Sequence, residues 1–253
     1  IDDYKQIVGN LTHEIKTPLT SIIGYAELLK NHECDRELQE QALDYILEEG
    51  KRLNSITRKM IKLSRIQPGL LNIERQDVKK MLETSLMAVR MQAGQKQIHF
   101  TSDIPEGIFC YGDREFLITM MENVLDNAIK ASHEGGVIEV RAAGEGGALA
   151  YIQVTDHGIG IPADILDKID QPFFKGDKAH SQGGDGFGMG LAICKSVMLH
   201  HHGSLKYESV VGAYTTVTMR FPAADYLRLE SPEQTDQVKK DSLWVYEASN
   251  IIR

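Results

Sequence analysis

Two long helical stripes of apolar side chains at the start of the chain constrain its fold more than any other feature. The first stripe repeats at steps of three and four residues, the spacing of one helix face, through Ile7, Leu11, Ile15, Leu19, Ile22, Ala26 and Leu29. The second keeps this rhythm with one polar interruption at Glu49, through Leu38, Ala42, Tyr45, Leu53, Ile56, Met60 and Leu63. A polar link over 31–36 separates the stripes, so residues 1–67 are predicted to form an antiparallel helical hairpin.

A two-helix hairpin makes a poor core by itself, because each helix buries one stripe against a single partner. A second copy of the hairpin would complete a four-helix bundle with twofold symmetry. We therefore expect a homodimer that forms through residues 1–67. The alternative is that the hairpin packs against the rest of its own chain.

His13 lies off the apolar stripe of the first predicted helix. It is two residues from both Leu11 and Ile15, about 200° around the helix, so its side chain should point into solvent. Glu14 follows it directly, and Pro18 lies inside the same helical pattern, where it removes the hydrogen bond to the carbonyl of Glu14. An exposed histidine is usually a plain surface residue, but this neighbourhood makes His13 a candidate reactive group.

Residues 68–222 alternate between helical and strand patterns after Pro68 and Gly69 end the second helix. Helices are predicted at 77–95, 113–132 and 191–202, and strands at 98–102, 137–140, 151–154, 204–210 and 214–221. The first two helices each have one face predicted from helical spacing, formed by Val78, Met81, Leu82, Ser85 and Val89 and by Phe116, Leu117, Met120, Val124 and Ala128. A glycine-containing loop over 144–147 should join two of these strands as a hairpin. The mixture of hairpin and helical connections predicts an α+β sandwich, with a mixed sheet and helices on one face, and not a doubly wound parallel sheet.

Two short motifs in this region carry polar groups suited to a nucleotide. Asn123 and Asn127 are four residues apart and share one helix face, with Lys130 about one turn further on. Amide oxygens suit a hard cation such as Mg²⁺, and a lysine suits phosphate. Asp156 ends a strand and precedes a glycine-rich turn, where its carboxylate can accept from an exocyclic amine. Taken singly, an ordinary polar helix face and an ordinary strand-to-helix turn also explain these residues.

Two further motifs lie around a glycine-rich segment. Phe173 and Phe174 are adjacent aromatics in a polar loop, and a glycine run over 183–190 leads directly into an apolar helix at Leu191. The glycines can present backbone N–H groups, and the N-terminus of the following helix favours anions. We expect 170–188 to form a lid over a phosphate, the alternative being a flexible linker. The run lacks a P-loop signature and does not follow a first strand, which argues against P-loop and dinucleotide folds.

Composition limits the function further. Acidic residues outnumber basic residues by 36 to 28, a formal net charge of −8, which argues against general nucleic-acid binding because that depends on phosphate neutralisation by Lys and Arg. Three cysteines far apart in the sequence suggest neither a metal site nor a disulfide framework and fit a reducing compartment. The run over 200–202, three histidines, lies at a predicted helix end, where capping is a more ordinary role than metal binding. No apolar run is long enough to span a bilayer.

In this order and spacing the motifs resemble those of the catalytic core of bacterial sensor histidine kinases, over nearly all of residues 1–222. The matching segments are Leu11–Leu19 for the H box, Asn123–Lys130 for the N box, Asp156–Gly160 for the G1 box, Pro172–Lys175 for the F box and Gly186–Leu191 for the G2 box. The resemblance implies a dimerisation and phosphotransfer hairpin at 1–67 and an ATP-binding domain at 68–222, of the Bergerat type found in gyrase, Hsp90 and MutL ATPases. The polar composition of 231–240 predicts a partly flexible tail at 223–253.

The resemblance also implies a role for each matched position. His13 would be the phosphoacceptor, Glu14 would orient or deprotonate it, and Thr17 would position water for dephosphorylating the partner regulator. Asn127, assisted by Asn123, would hold Mg²⁺. The implied nucleotide-binding residues, among which Asp156 would read the adenine amine, are Asn123, Asn127, Lys130, Asp156, Gly158, Gly160, Phe173, Lys175, Gly186, Gly188, Gly190 and Leu191. Ala131 stands where the family often has an aromatic residue or a histidine, which implies that one nucleotide contact is missing.

The hypothesis from the sequence is therefore a protein-histidine kinase that uses ATP and Mg²⁺. It would phosphorylate itself on His13 and pass the phosphoryl group to an aspartate in the receiver domain of a response regulator, with phosphatase activity toward that regulator as a further implied reaction. The alternatives are an ATPase or Ser/Thr kinase of the same nucleotide fold and a dimeric scaffold without nucleotide. The resemblance implies a cytoplasmic domain, attached to the cell membrane only through segments upstream of this chain.

Overall fold

The computed structural model describes residues 2–67, 70–174 and 188–222 of the 253-residue chain. They divide into two compact units, the first ending at Ser64 and the second beginning at Arg65. Within the described residues, no helix has the length and apolar character needed to cross a bilayer.

The first unit is a helical hairpin, as the two apolar stripes predict. Helix α1 covers Asp2–Asn31 and helix α2 covers Arg36–Arg65, each of 30 residues. The rings of Tyr25 and Tyr45 stack across the pair, with their centroids 4.9 Å apart and their planes 6° from parallel. Because an early residue of α2 meets a late residue of α1, the helices run antiparallel.

The hairpin leaves a set of large apolar side chains uncovered on both of its helices. Their exposed fractions lie between 36% and 57% for Ile15, Leu19, Ile23, Leu43 and Leu47. This much exposed apolar surface is typical of an element that packs against another protein surface. It agrees with one half of a four-helix bundle, and assembly with a second copy stays a prediction.

The second unit is an α+β domain, in agreement with the predicted fold class. Its helices are α3 (Val78–Gln95), α4 (Arg114–Ala131) and α5 (Gly190–His200), with a single 3₁₀ turn at Leu166–Lys168 in the described residues. Its strands are β1 (Glu74–Asp77), β2 (His99–Asp103), β3 (Phe109–Gly112), β4 (Val137–Glu145), β5 (Ala148–Asp156), β6 (Ser204–Val210) and β7 (Tyr214–Arg220).

The strands form one mixed sheet. Strands β2, β4, β5, β7 and β6 lie side by side in that order, and the β1–β3 pair joins at the start of β5. The β2–β4 and β3–β5 pairs are parallel, and the others are antiparallel. The sheet is therefore mixed, as predicted, and the doubly wound parallel alternative is excluded.

The predicted elements differ from the observed ones in a few places. The two short strands β1 and β3 were not predicted, because Glu74–Asp77 is a wholly polar run that becomes a strand only by pairing with β3. The hairpin expected at 144–147 is confirmed, but its loop is shorter than predicted. Strands β4 and β5 extend to a two-residue turn at Gly146 and Gly147, both with positive φ angles of 60° and 83°, as tight hairpin turns require. The third predicted helix ends at His200 and not at 202.

Helices cover one face of the sheet and form the core with it. Helix α4 packs against α3, α5 and β5. The faces predicted for α3 and α4 are buried throughout. Alternate residues on three adjacent strands are each at most 1% exposed and face these helices, namely Ile138, Val140, Ile152, Val154 and Met219.

Polar groups hold both ends of α4. At its start, the Asp113 carboxylate accepts hydrogen bonds from the backbone N–H groups of Glu115 and Phe116, at 3.0 and 3.3 Å. At its end, the ammonium group of Lys96 donates to three carbonyl oxygens, at 2.9 to 3.3 Å. A carboxylate at a helix N-terminus and an ammonium at the C-terminus both complement the helix dipole. Helix α4 therefore has a fixed position in the domain.

His201 joins the end of α5 to the start of α4. Its side chain is 2% exposed, and its Nε2 atom accepts from the backbone N–H of Asp113 at 2.9 Å. Since Nε2 accepts, the ring proton lies on Nδ1, which donates to the carbonyl of Val197 at 2.7 Å. Burial lowers the pKa of His201 below its ordinary value, because a desolvated ring prefers its neutral form. Protonation would also place a second N–H donor against the N–H of Asp113.

We expect His201 to make the stability of this domain depend on pH. A lowered folded-state pKa means that the unfolded chain binds the proton more readily than the folded domain. The contribution of neutral His201 to the free energy of unfolding is therefore complete above about pH 6.5 and is lost as the pH falls further. His201→Gln should lower the free energy of unfolding by about 1–3 kcal/mol at pH 7.5, and the difference from wild type should shrink toward pH 5. Urea unfolding at several pH values measures this; a difference that does not change with pH would contradict it.

Candidate functional site

The site residues that the sequence predicts in the first unit lie along α1 and include an exposed imidazole. His13 is exposed on α1, as its position off the apolar stripe predicts. The carboxylate of Glu14, the residue after His13, lies 3.9 Å from the guanidinium of Arg52 on α2. The hydroxyl of Thr17 donates to the carbonyl of His13 at 3.1 Å. Pro18 is buried within a helix that continues past it.

This arrangement suits a nucleophile that faces solvent. A neutral imidazole has one nitrogen lone pair available for attack at ordinary pH, and a neighbouring carboxylate can accept the proton of the other nitrogen. The His13 side chain is exposed on the surface of the hairpin. Its position is therefore accessible to a reacting group from outside the hairpin.

In the second unit, Asp156 is a carboxylate buried at the end of β5. It is 4% exposed, and its Oδ1 atom accepts from the backbone N–H of Gly158 at 3.1 Å. Burial raises the pKa of Asp156 to about 6, because a desolvated carboxylate prefers its neutral form. Such a group binds a donor on a ligand more strongly than an exposed carboxylate does.

The loop after Asp156 fits only glycine at two positions. A Cβ atom at Gly158 would overlap the carbonyl oxygen of Ala131, and one at Gly160 would overlap the carbonyl oxygen of Val210. Ile159 donates its backbone N–H to the carbonyl of Ala131 at 3.0 Å. The loop is therefore tied closely to the end of α4.

The predicted polar face of α4 borders the start of α5. The amide nitrogen of Asn123 donates to the carbonyl of Thr119 at 2.8 Å, which directs its oxygen the other way. That oxygen would lie 3.0 Å from a Cβ atom placed on Gly190, the first residue of α5. Asn127 is half-buried one turn further along. An amide oxygen next to a helix N-terminus suits a cation together with the anion that it accompanies.

The ammonium group of Lys130 is paired with a carboxylate of its own helix. Its ammonium group lies 2.6 Å from one carboxylate oxygen of Asp126, and the amide of Gln92 on α3 donates to the other oxygen at 2.6 Å. An exposed lysine paired with a half-buried carboxylate near the surface gains little stability from the pair. Lys130 can therefore exchange this partner for a phosphate at small cost.

The Phe173–Phe174 motif and the end of the glycine run at Gly188 contact each other, at the two ends of the lid predicted over 170–188. Phe173 is buried with a φ angle of 62°, and its N–H donates to the carbonyl of Gly188 at 2.8 Å. Gly188 also has a positive φ, and a Cβ atom there would overlap the carbonyl oxygen of Phe174. Leu191 lies in the first turn of α5. Lys175 and Gly186, the remaining predicted contacts, lie outside the described residues.

The histidine run at 200–202 has structural partners. His200 and His201 are buried, and each ring bonds to a helix carbonyl of α5, those of Ser196 and Val197. In the part of the chain that the structure describes, no three His, Cys, Asp or Glu side chains are grouped to hold a metal ion. The described thiols of Cys34, Cys110 and Cys194 are free.

Sequence reasoning missed two hydroxyl groups beside the buried carboxylate. Thr215 on β7 lies directly opposite Asp156 on β5, and Ser209 on β6 lies directly opposite Thr215. The backbone N–H of Ile161, just after the glycine loop, donates to the hydroxyl of Ser209 at 2.8 Å. Inward-facing polar residues in otherwise apolar strand positions are the signal that could have identified them.

Two family models match the chain. The model of the His Kinase A (phospho-acceptor) domain matches residues 4–69, and that of the histidine kinase-, DNA gyrase B-, and HSP90-like ATPase matches residues 112–225. The sensor-like histidine kinase SenX3 of Mycobacterium tuberculosis is 33% identical over 234 residues. The alignment covers 91% of this chain and 57% of SenX3, so the chain spans little more than half the length of that relative.

Solved structures share the fold. Histidine kinase AdeS of Acinetobacter baumannii is 22% identical with a TM-score of 0.64, and the alignment covers 84% of this chain and 98% of AdeS. Histidine kinase ThkA, in a crystal structure with response regulator protein TrrA, is 22% identical with a TM-score of 0.68, over 87% of this chain and 62% of ThkA. At these identities the likeness concerns the fold alone.

Proposed function

Because this chain belongs to the sensor histidine kinases, with a phosphoacceptor domain followed by an ATPase domain, we propose that it transfers the γ-phosphoryl group of ATP to His13. The observation that carries this proposal is the buried carboxylate of Asp156, which is 4% exposed and is followed by a loop that has room only for glycine at 158 and 160. The matched domains and the unit boundary after Ser64 support a phosphotransfer hairpin over 1–67, a catalytic domain over 68–222 and a tail over 223–253.

We assign a role to each residue of the proposed nucleotide site. The carboxylate of Asp156 would accept from the exocyclic amine of adenine, and the loop at Gly158 and Gly160 would allow the base to approach the backbone. The N-terminus of α5 would face the phosphates. Lys130 would leave Asp126 and contact a phosphate oxygen. The segment between Phe173 and Gly188, which includes Lys175 and Gly186, would cover the triphosphate.

The amide oxygens on α4 fit a magnesium ion. Asn127, with Asn123 beside it, would hold the ion, since the hydrogen bond from Asn123 to Thr119 turns its amide oxygen toward α5. Bound Mg²⁺ would neutralise charge on the phosphates during transfer.

The transfer itself is a displacement at phosphorus. A ring nitrogen of His13 forms a bond to the γ-phosphorus as the bond to the bridging oxygen of the β-phosphate breaks, and ADP leaves with that electron pair. Glu14 accepts the proton from the other ring nitrogen, which keeps the phosphorylated ring neutral. The ion pair with Arg52 holds Glu14 in position for this step.

We further propose that phosphohistidine passes its phosphoryl group to an aspartate on a response regulator receiver domain. The exposed apolar faces of α1 and α2 support a homodimer, and the ThkA structure contains a response regulator. Thr17, one turn from His13, would position water when the regulator is dephosphorylated. We also propose that this chain is the cytoplasmic part of a protein anchored in the cell membrane, since the relatives that it matches are sensor kinases.

Acid treatment of the labelled product tests the proposal. Incubation with γ-labelled ATP and Mg²⁺ should give a phosphoprotein that loses its label in acid and keeps it in alkali, because a phosphorus–nitrogen bond hydrolyses readily once protonated. Label that survives acid would instead indicate a Ser/Thr kinase of the same nucleotide fold. Phosphate release without label would indicate an ATPase, and an unchanged Tm with Mg²⁺ and ATP would indicate a scaffold.

A further inference from the structure

Three side chains lie in one row across adjacent strands of the sheet. Ser209 on β6 faces Thr215 on β7, and Thr215 faces Asp156 on β5. Residues directly opposite each other in antiparallel strands share a face of the sheet, with Cβ atoms about 4.5–5.5 Å apart. Asp156 and Thr215 are 4% and 6% exposed, so the threonine hydroxyl forms part of the wall around the carboxylate.

The hydrogen bonds of Ser209 use its full capacity. Its hydroxyl oxygen lies 2.8 Å from the N–H of Ile161, 2.8 Å from the carbonyl of Tyr214 and 2.9 Å from the hydroxyl of Thr215. A serine hydroxyl has one proton to donate and two lone pairs. A carbonyl can only accept, so the Ser209 proton goes to Tyr214, and the N–H of Ile161 occupies one lone pair.

The proton of Thr215 is fixed by this arrangement. With the Ser209 proton already donated, the contact between the two hydroxyls is a hydrogen bond only if Thr215 donates to Ser209. Thr215 then presents lone pairs alone to the side where Asp156 lies. When Asp156 is ionised it too can only accept, so this wall consists of acceptors.

We propose that Ser209 is a positioning residue that makes the site select adenine over 6-oxopurines, through the proton that it draws from Thr215. The inference rests on the proposed ATP site. The exocyclic amine of adenine offers two donors to this wall, whereas the 6-oxo group of hypoxanthine or guanine places lone pairs against acceptors. A site built for one hydrogen-bond pattern rejects the opposite pattern strongly.

Ser209→Ala tests the proposal by releasing the Thr215 proton. Thr215 can then donate to a 6-oxo oxygen or compete with the amine for Asp156, so the ratio of the Kd for inosine triphosphate to the Kd for ATP should fall at least tenfold. Ser209→Thr retains the hydroxyl and should keep the wild-type ratio. Isothermal titration of the whole chain with both nucleotides gives these values.

Two further measurements separate positioning from simple structural damage. Purine riboside triphosphate lacks a 6-substituent, so its change in Kd reports any loosening of the loop at Ile161.

Should Ser209→Ala not fold, Thr215→Val removes the acceptor while keeping the side-chain shape, and the same ratio should fall. A ratio within twofold of wild type in the folded variants, with all three nucleotides weakened alike, would overturn the role of Ser209 but not the proposed function. A wild-type chain that binds no nucleotide would overturn both.

Discussion

Replacing His13 with glutamine should abolish acid-labile phosphorylation while ATP binding and Tm stay at the wild-type values. Glutamine retains polarity and comparable length but has no nucleophilic ring nitrogen, so incorporation should fall at least about 1,000-fold, the scale expected when a nucleophile is lost. His13 is exposed on a helix, and glutamine is at least as good a helix former. Surface changes of this kind alter stability by about 0.5 kcal/mol or less.

The matched control is His32, which is exposed and follows the end of α1 on the same hairpin. His32→Gln should incorporate label at the wild-type rate. Label from γ-labelled ATP, isothermal titration with ATP and thermal unfolding together report the three expected properties. Wild-type labelling of His13→Gln would show that the acceptor is elsewhere, and the mechanism through Glu14 would then be wrong.

Asp156→Asn should weaken ATP binding at least about 100-fold and at the same time stabilise the nucleotide-free domain. The asparagine oxygen can still accept from the N–H of Gly158, which turns the asparagine NH₂ group toward the adenine amine. Both groups are donors, so the hydrogen bond to adenine is lost. The stabilisation follows from burial. A carboxylate with a pKa raised to about 6 is ionised at pH 7.5 against its preference, and removing that charge should gain about 1–3 kcal/mol.

The pH dependence supplies a second readout for Asp156. Because its folded-state pKa lies above the ordinary value, the folded domain takes up the proton first, and the stability cost of the ionised form disappears as the pH falls through about 6. The stability difference between Asp156→Asn and wild type should therefore shrink below pH 6. ATP binding to wild type should weaken over the same range, since a protonated carboxyl loses acceptor capacity.

Asp164, an exposed aspartate on the following loop, provides the control. Asp164→Asn should keep the wild-type Kd for ATP and the wild-type Tm. Titration calorimetry between pH 5 and 8 and urea unfolding of the three proteins measure both effects. If Asp156→Asn bound ATP normally, the adenine amine would have to be recognised elsewhere in the cleft.

Local sequence patterns determined most of the elements of this fold. Apolar spacing located α1 and α2, the buried faces of α3 and α4, and the exposed position of His13, because helical periodicity depends on the chain itself. Strands β1 and β3 escaped prediction, since the polar run Glu74–Asp77 has strand structure only through its partner. The β4–β5 turn was placed too broadly for a similar reason, as pairing extended both strands to Gly146 and Gly147.

The sequence by itself determined which chemical groups this protein carries: an imidazole off the helix stripe, amides one turn apart on α4, and a carboxylate before glycines. Only the tertiary structure decided their states. Burial in the sheet raised the pKa of Asp156, α3 supplied the amide of Gln92 that shares Asp126 with Lys130, and strand register aligned Ser209 and Thr215 with Asp156. The physical reason is that desolvation and hydrogen-bond direction depend on neighbours from distant parts of the chain, which no local pattern records.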